Sequence, residues 1–331
     1  MPRSEDIRVR AGDIGLAATL TLPDGETDGR LPWALLVPSW LPRDRGGGWD
    51  ATGHPGWFAQ RDQREPPGLF ERLAGALAAR GVASLRYDPR GCGESGGDWA
   101  ASNLFTRIDD ARDAIGAMRS RRELDLRRTA IVGHGEGAVI AISVAIGDPA
   151  IGAVGLVGPP ARSFRDVLRR GVAERQRTGR DREHPVVAAL DDAAEELIER
   201  AVRRDAEIEL RVADASVRLS LAGWEQAIHT PALALATMLH RHVVIAHGTR
   251  DAWADPDESR LLTAVLAEAG NEPVLQLLIG VGHDLAEAED DRIGAFADAL
   301  VAGMEPRELP PVLLAIEEMT GDPGATLDSR S

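Results

Sequence analysis

The 331-residue sequence contains no lysine, and all 38 of its strongly basic side chains are arginine. Without a lysine amine, the chain has no side chain for Schiff-base chemistry and no Walker-type phosphate-binding lysine. The one cysteine, Cys92, excludes an intramolecular disulfide and a cysteine metal cluster. The eight histidines lack the paired spacing that a zinc site requires. The sequence therefore implies neither a metal nor an organic cofactor.

Long apolar runs are also missing. No stretch approaches the ~20 apolar residues of a membrane span, and the charged N-terminus MPRSEDIRVRAGDIG has no signal-peptide core. The net charge of −15 repels nucleic acid and anionic membrane surfaces. We therefore expect a cytoplasmic protein whose partner is a small-molecule substrate, with no nucleic acid and no membrane; the oligomeric state stays open.

Short apolar segments alternate with amphipathic ones along most of the chain. Continuous apolar runs of this length are typical of parallel strands buried on both faces. Their alternation with helices, such as 68–80 and 104–121, predicts an α/β fold with a doubly wound, mostly parallel sheet. The predicted strands are 33–37, 82–87, 129–132, 151–157, 243–247 and 274–279. Residues 7–22 predict two further strands around a turn, which would extend one edge of the sheet antiparallel.

Two segments interrupt this alternation. Residues 41–66 form a long Gly/Pro/Trp loop directly after a predicted strand. Residues 162–235 are mostly polar, and we interpret them as a helical lid over the sheet; a peripheral excursion without substrate contact is the alternative. The predicted domains are thus a core of residues 1–161 and 236–302, the lid, and a partly disordered C-terminal extension, 303–331, with one helix at 312–319.

A glycine-rich turn carries most of the functional information. An apolar strand runs into Gly133-His134-Gly135-Glu136-Gly137 and then into an apolar helix, the arrangement of the G-x-S-x-G nucleophile elbow. The outer glycines allow a tight turn, and the central residue stands at its tip in a strained conformation. Here that residue is Gly135, so a covalent acyl-enzyme cannot form at this position.

Three further motifs follow in an order typical of one superfamily. Residues 85–96, LRYDPRGCGESG, resemble the "RYDxRGxGxS" turn; residues 247–251, HGTRD, resemble "HGxxD"; residues 280–283, GVGH, resemble "GxGH". The order elbow, acid, histidine is that of the α/β-hydrolases. Over residues 10–300 the chain thus resembles that superfamily, in particular its carboxylesterase and acyl-peptidase-like members. The resemblance implies a mostly parallel sheet of about eight strands with a helical lid insertion.

The resemblance also implies roles for individual residues. Asp251 would orient His283, and His283 would be the general base. One oxyanion donor would be the backbone N–H of Glu136, the residue after the elbow tip. The other would be the N–H of Trp40 or Leu41, in the loop where the family has His-Gly-x and this chain has Pro-Ser-Trp.

A glycine at the elbow tip leaves three interpretations open. First, His283 and Asp251 act as a dyad that activates water for ester hydrolysis, or abstracts a C–H proton as in β-elimination, isomerisation or cyclisation. Second, the nucleophile has moved to Ser39, Ser95 or Cys92. Third, the protein is a catalytically inactive pseudo-hydrolase, or a serine-less variant, that binds a ligand or partner. From the sequence we favour the first interpretation.

Two residues remain as candidate substrate contacts. Ser39 lies in the loop that would supply the second oxyanion donor, and His134 precedes the elbow tip. For His134, packing within the turn is the alternative.

Overall fold

The computed structural model describes residues 2–25, 29–58, 67–179, 185–222, 224–229 and 231–321. Its strands are β1 Arg3–Ala11, β2 Ile14–Leu22, β3 Leu31–Val37, β4 Ala83–Tyr87, β5 Leu124–His134, β6 Ile151–Val157, β7 Glu207–Val212, β8 Ala215–Ser220, β9 His242–Gly248 and β10 Val274–Leu278. Its helices are α1 Leu69–Ala78, α2 Leu104–Arg119, α3 Glu136–Gly147, α4 Phe164–Thr178, α5 Pro185–Val202, α6 Trp224–His229, α7 Ala232–Ala236, α8 Pro256–Glu268, α9 Asp290–Ala302 and α10 Pro311–Gly321.

Eight strands form the main sheet, in the order β1-β2-β4-β3-β5-β6-β9-β10. From β4 to β10 neighbouring strands pair in parallel, whereas β1 and β2 form an antiparallel hairpin that joins β4 antiparallel at one edge. This confirms the predicted mostly parallel sheet of about eight strands with an antiparallel edge.

The sheet separates two apolar cores because successive side chains of a strand point to opposite faces. In β3, Trp33 and Leu35 pack into the core that contains α2, α3 and α8, whereas Ala34 and Leu36 pack into the core that contains α1 and α9. Helices therefore cover both faces of the sheet, which explains why the strands read as continuous apolar runs.

Residues 162–235 contain α4, α5, α6 and α7, and also the two-stranded antiparallel hairpin β7–β8. The sequence predicts a helical lid here, and the hairpin is an addition to that prediction. The sequence does indicate this hairpin, because polar and apolar residues alternate in β7 (Glu-Ile-Glu-Leu-Arg-Val) and the apolar ones, Ile208, Leu210 and Val212, are buried. Side chains of α4, α5 and this hairpin share a third apolar cluster with Trp40, Trp49 and Trp99, so the segment packs on the loops above the sheet.

The helix predicted at 312–319 lies within α10, and Leu313 packs against Leu126 and Ala150. Residues 322–331 of the extension that is predicted to be partly disordered, 303–331, lie outside the described residues, as do 59–66 of the long loop. None of the described helices is both long and apolar enough to cross a membrane.

Candidate active site

Asp251 and His283 meet at the carboxyl ends of two neighbouring parallel strands. Asp251 follows β9, and His283 lies in the loop after β10. His283 Nδ1 lies 2.6 Å from Asp251 Oδ2. The other carboxylate oxygen accepts hydrogen bonds from the backbone N–H groups of Trp253 and Ala254, at 2.8 and 2.9 Å. The carboxylate is thus held in place, and the imidazole ring is oriented by it.

A second histidine contacts the same carboxylate. His247, at the end of β9, places Nε2 3.1 Å from Asp251 Oδ2, and its ring is also held by the Ser259 hydroxyl at 2.5 Å and the Ala254 carbonyl at 3.0 Å. Burial alone lowers the pKa of His247, but the hydrogen bond and the charge of Asp251 outweigh it and raise the pKa. Burial would raise the pKa of Asp251, yet the positive charge of His283 and the bonds from both histidines hold it far below its usual range. Asp251 is therefore ionised at neutral pH.

The elbow turn joins β5 to α3 and depends on glycine at two flanking positions. A β-carbon at Gly133 would lie 2.0 Å from the carbonyl oxygen of Gly137, and one at Gly137 would lie 2.3 Å from the carbonyl oxygen of Val37. At the tip, Gly135 has φ +55° and ψ −120°, a backbone conformation that side chains rarely tolerate. The structure thus contains a sharp strand–turn–helix with Gly135 at its tip, a shape typical of nucleophile elbows.

The space beside Gly135 is bordered by Ser39 and His283. A β-carbon at Gly135 would lie 2.5 Å from Ser39 Oγ and 3.1 Å from His283 Nε2. The register of the sheet explains this meeting, because parallel pairing places Val37 opposite Gly133. Ser39 and Gly135 each follow two residues later.

The two predicted oxyanion residues, Glu136 and Trp40, both line the cavity beside this space. Glu136 is the first residue of α3, so its N–H lies at the positive end of the helix. Its carboxylate pairs with Arg107; burial raises the pKa of Glu136, while the charge of Arg107 lowers it. Trp40 is anchored by a 2.7 Å hydrogen bond from the indole N–H of Trp99 to its carbonyl oxygen.

His134, a candidate substrate contact, lies behind the site. It is buried, its Nε2 lies 3.2 Å from the carbonyl oxygen of His283, and the two rings have centroids 4.5 Å apart. Burial, together with the positive charges of His283 and Arg43, holds the pKa of His134 well below its usual range, so the ring is neutral. Arg43 forms a buried ion pair of 2.9 Å with Asp284, and Asp284 lies 3.4 Å from His134 Nε2. This arrangement supports the backbone that carries His283.

A largely apolar cavity lies between the site and the lid segment. Its lining from the sheet side includes Ser39, Gly135 and His283, together with apolar residues of the connecting loops. The lid contributes Phe164, Val167, Leu168, Leu190, Leu197 and Ala227. Trp40 connects the two sides, because its ring contacts Phe164 and Trp224 edge-to-face at centroid distances of 5.9 and 5.5 Å.

The charged side chains found in this lining, apart from His283, are each paired with an opposite charge. The pairs are Arg43 with Asp284, Glu136 with Arg107, Arg162 with Glu258, and Arg175 with Asp191. The Arg175–Asp191 pair is buried on both sides. Among the described residues of the cavity lining, the side chain of His283 is thus the one that can carry a charge outside these four ion pairs.

Among the residues that the structure describes, two groups of side chains have the composition of a metal site. The first consists of His134, His283 and Asp284. There His134 Nε2 forms a hydrogen bond with the carbonyl oxygen of His283, and Asp284 forms an ion pair with Arg43. The second consists of Asp50, His54 and Cys92. There the Asp50 oxygens accept hydrogen bonds from the N–H groups of Gly53 and Gly93, and His54 Nε2 lies 2.9 Å from the carbonyl oxygen of Gly91. Both groups are explained by hydrogen bonds within the protein.

The other two candidate nucleophiles lie away from the cavity lining. Ser95 Oγ donates to the carbonyl of Asp88 at 2.7 Å and accepts from the N–H of Ala17 at 2.8 Å, so its hydroxyl ties the 85–96 turn to β2. Cys92 is buried, and burial raises the pKa of its thiol. Its environment therefore disfavours the reactive thiolate.

Sequence reasoning did not assign His247, Arg43, Asp284 or Gly158 to the site. His247 stands within the motif that supplies Asp251, and Asp284 directly follows the motif that supplies His283, so the sequence contained a signal for both. Arg43 had no local signal. Gly158 follows β6 with φ +53°, and a β-carbon there would lie 3.0 Å from His283 Nδ1 and 3.2 Å from Asp251 Oδ2.

Comparison with known proteins identifies the family. The model of the family described as serine aminopeptidase, S33, matches residues 65–290. The chain belongs to this family. A search of the curated proteins gave no match.

Solved structures support the same fold for this serine aminopeptidase family member. Est1E from Butyrivibrio proteoclasticus with bound ferulic acid has a TM-score of 0.63 at 15% identity, covering 90% of this chain and 98% of that one. The α/β-hydrolase GrgF from Penicillium sp. sh18 has a TM-score of 0.60 at 17% identity, covering 91% and 99%. The acylaminoacyl peptidase of Pyrococcus horikoshii has a TM-score of 0.61 at 12% identity, covering 96% of this chain and 44% of that one. The α/β-hydrolase fold is thereby confirmed.

Proposed function

We propose that this chain is an ester hydrolase for small, neutral acyl substrates, with His283 as general base and Asp251 as the carboxylate that orients it. The observation that carries the proposal is the 2.6 Å contact between His283 Nδ1 and Asp251 Oδ2 beside an apolar cavity. Because Nδ1 is engaged by the carboxylate, Nε2, next to Gly135, is the nitrogen that takes the proton.

The proposed chemistry has no nucleophile at the elbow tip. We infer that Gly135 stands where other hydrolases of this fold carry their serine, since it occupies the tip of the strand–turn–helix. Base catalysis by His283 does not need a side chain there. The N–H of Glu136 at the start of α3, and that of Trp40 on the opposite loop, would stabilise the oxyanion that forms on the substrate carbonyl.

The charge pairing of the cavity supports a neutral substrate. A substrate with a free α-amino group needs a carboxylate acceptor, but Glu136 is already paired with Arg107. A carboxylate substrate needs a cation, but Arg175 and Arg162 are paired with Asp191 and Glu258. Burying an extra, unpaired charge among apolar side chains is costly. An esterase domain from Rhodothermus marinus and an acylaminoacyl peptidase are among the structural relatives, and their names are consistent with an acyl substrate.

The test is hydrolysis of p-nitrophenyl butyrate, compared with alanine p-nitroanilide, whose α-amino group is charged. We expect the ester to be the better substrate, and His283→Gln to lower its kcat/KM by at least ~10³-fold. The matched control is His229→Gln, an exposed histidine at the end of α6, which should leave turnover unchanged.

Three results would contradict the proposal. Unchanged turnover in His283→Gln would remove the histidine from the chemistry. Absence of turnover in the wild-type protein would favour a pseudo-hydrolase that only binds its ligand. Products without ¹⁸O from labelled water would favour proton abstraction by the same base, as in β-elimination or cyclisation.

A further inference from the structure

The hydroxyl of Ser39 occupies the space that a side chain on Gly135 would need. A β-carbon at Gly135 would lie 2.5 Å from Ser39 Oγ and 3.2 Å from Ser39 Cβ, so the Ser39 hydroxyl would have to rotate away and its β-carbon would have to shift slightly. The same point is 3.1 Å from His283 Nε2. The hydroxyl and the imidazole therefore border one small volume, at the edge of the cavity that both residues line.

The Ser39 hydroxyl opens onto the cavity. Ser39 is 7% exposed and lines the cavity, and its Oγ is not one of the fully buried side-chain atoms that lack a hydrogen-bond partner. Ser95 and Ser102, in contrast, donate hydrogen bonds to backbone carbonyl oxygens, at 2.7 Å each. Within the described part of the chain the Ser39 hydroxyl forms no such bond, so it is available to a molecule in the cavity. A free hydroxyl beside a carboxylate-oriented imidazole has the surroundings of an activated nucleophile.

We propose that Ser39 is the nucleophile of this enzyme, transposed from the elbow tip to the loop after β3. The inference rests on the proposed function, because it requires His283 as base and an ester as substrate. Glycine at position 135 then has a positive role: its lack of a β-carbon leaves room for the Ser39 side chain in front of His283.

The reaction would proceed in two balanced steps. Ser39 Oγ attacks the ester carbonyl carbon while His283 Nε2 takes the hydroxyl proton; the tetrahedral intermediate expels the alcohol, which recovers that proton from Nε2. Water then attacks the acyl-Ser39 ester, again giving its proton to His283, and the carboxylic acid leaves as Ser39 Oγ regains a proton. Asp251 stabilises the imidazolium in both steps, and the N–H at the start of α3 faces the developing oxyanion.

The experiment uses a fluorophosphonate probe, which phosphonylates activated serines, with intact-mass and peptide-mapping mass spectrometry. We expect one adduct on the wild-type protein, located in the peptide that contains Ser39. Ser39→Ala should lose the adduct, and His283→Gln should form it at least ~10²-fold more slowly. With p-nitrophenyl butyrate, Ser39→Ala should lower kcat/KM by at least ~10³-fold. Ser143→Ala, in α3 but away from the cavity lining, is the control that should keep both activities.

The outcomes separate this inference from the proposed function. If Ser39→Ala still hydrolyses the ester while His283→Gln does not, water is the nucleophile and only the Ser39 inference is overturned. An adduct on a different residue has the same consequence. If His283→Gln keeps full activity, or the wild-type protein neither reacts with the probe nor hydrolyses the ester, both proposals fail.

A double substitution tests the transposition directly. In Ser39→Gly/Gly135→Ser the hydroxyl returns to the elbow tip and the crowding side chain is removed. We expect probe labelling to move to the peptide that contains position 135. The single change Gly135→Ser should react less than the double variant, because two side chains then compete for one space. Equal reactivity of the single and double variants would contradict the proposed crowding by Ser39.

Discussion

His247 Nε2 lies 3.1 Å from Asp251 Oδ2, so the carboxylate that orients His283 also contacts a second histidine, which is fully buried. Both histidine contacts use the same oxygen, whereas Oδ1 is held by two backbone N–H groups. The position of His283 therefore depends on a small, buried network and not on one isolated pair. The titration of His247 should therefore change the free energy of unfolding with pH.

The first prediction concerns His247→Gln and pH. The pKa of His247 is raised in the folded protein, so its stabilising contribution is complete below the unfolded value of about 6.5 and is lost as pH rises through the folded value. We expect the variant to be less stable than the wild type by about 1–3 kcal/mol at pH 6. The deficit should become smaller at pH 9, as measured by urea unfolding. His240→Gln, an exposed histidine, is the control, and a deficit independent of pH would contradict the prediction.

The second prediction compares two glycines with positive φ. A β-carbon at Gly158 would press against His283 and Asp251, whereas one at Gly280, also at positive φ, would meet nothing within 4 Å. Both substitutions to alanine carry a similar backbone cost of about 1–2 kcal/mol. Only Gly158→Ala should displace the dyad and lower ester turnover, by about 10²-fold. Steady-state kinetics check this; similar activities of the two variants would show that the contact does not position His283.

The third prediction concerns the buried pair of Arg43 and Asp284. Asp284→Ala removes the carboxylate that lies 2.9 Å from the Arg43 guanidinium, and both side chains of this pair are buried. We expect a loss of about 3–5 kcal/mol in the free energy of unfolding. Asp290→Ala, which removes a 92%-exposed carboxylate from its pair with Arg72, should cost far less because water replaces that carboxylate. Equal losses in urea unfolding would count against a structural role for the buried pair.

The fourth prediction concerns Cys92. Because burial raises the pKa of its thiol, little thiolate forms in the folded protein. Iodoacetamide at pH 8 should therefore modify the native protein at least about tenfold more slowly than the urea-unfolded chain. Mass spectrometry of timed samples measures both rates. Rapid native modification, or loss of ester turnover in Cys92→Ala, would bring this thiol back as a candidate nucleophile.

Much of the fold could be predicted because strands buried on both faces leave a direct pattern in the sequence. The predicted strand 151–157 coincides with β6, and the strands around 33, 82, 243 and 274 end within two residues of those observed. β5 begins earlier than predicted, at Leu124, because its first part alternates buried and half-buried residues and so lacks a continuous apolar run. The hairpin β7–β8 was missed for a related reason: its alternating residues lie within a segment dominated by charged helices.

The sequence by itself determined the α/β-hydrolase fold, the glycine-rich turn and the chain order of the motifs that carry Asp251 and His283, because each depends on residues adjacent along the chain. Tertiary structure alone decided that the Ser39 hydroxyl fills the space beside Gly135, that His247 shares a carboxylate oxygen with His283, and that the charges in the cavity lining are paired. These contacts arise from strand register and from the packing of the lid. Ser39 and Gly135 meet because β3 pairs in parallel with β5, with Val37 opposite Gly133, and such pairing leaves no mark on either segment alone.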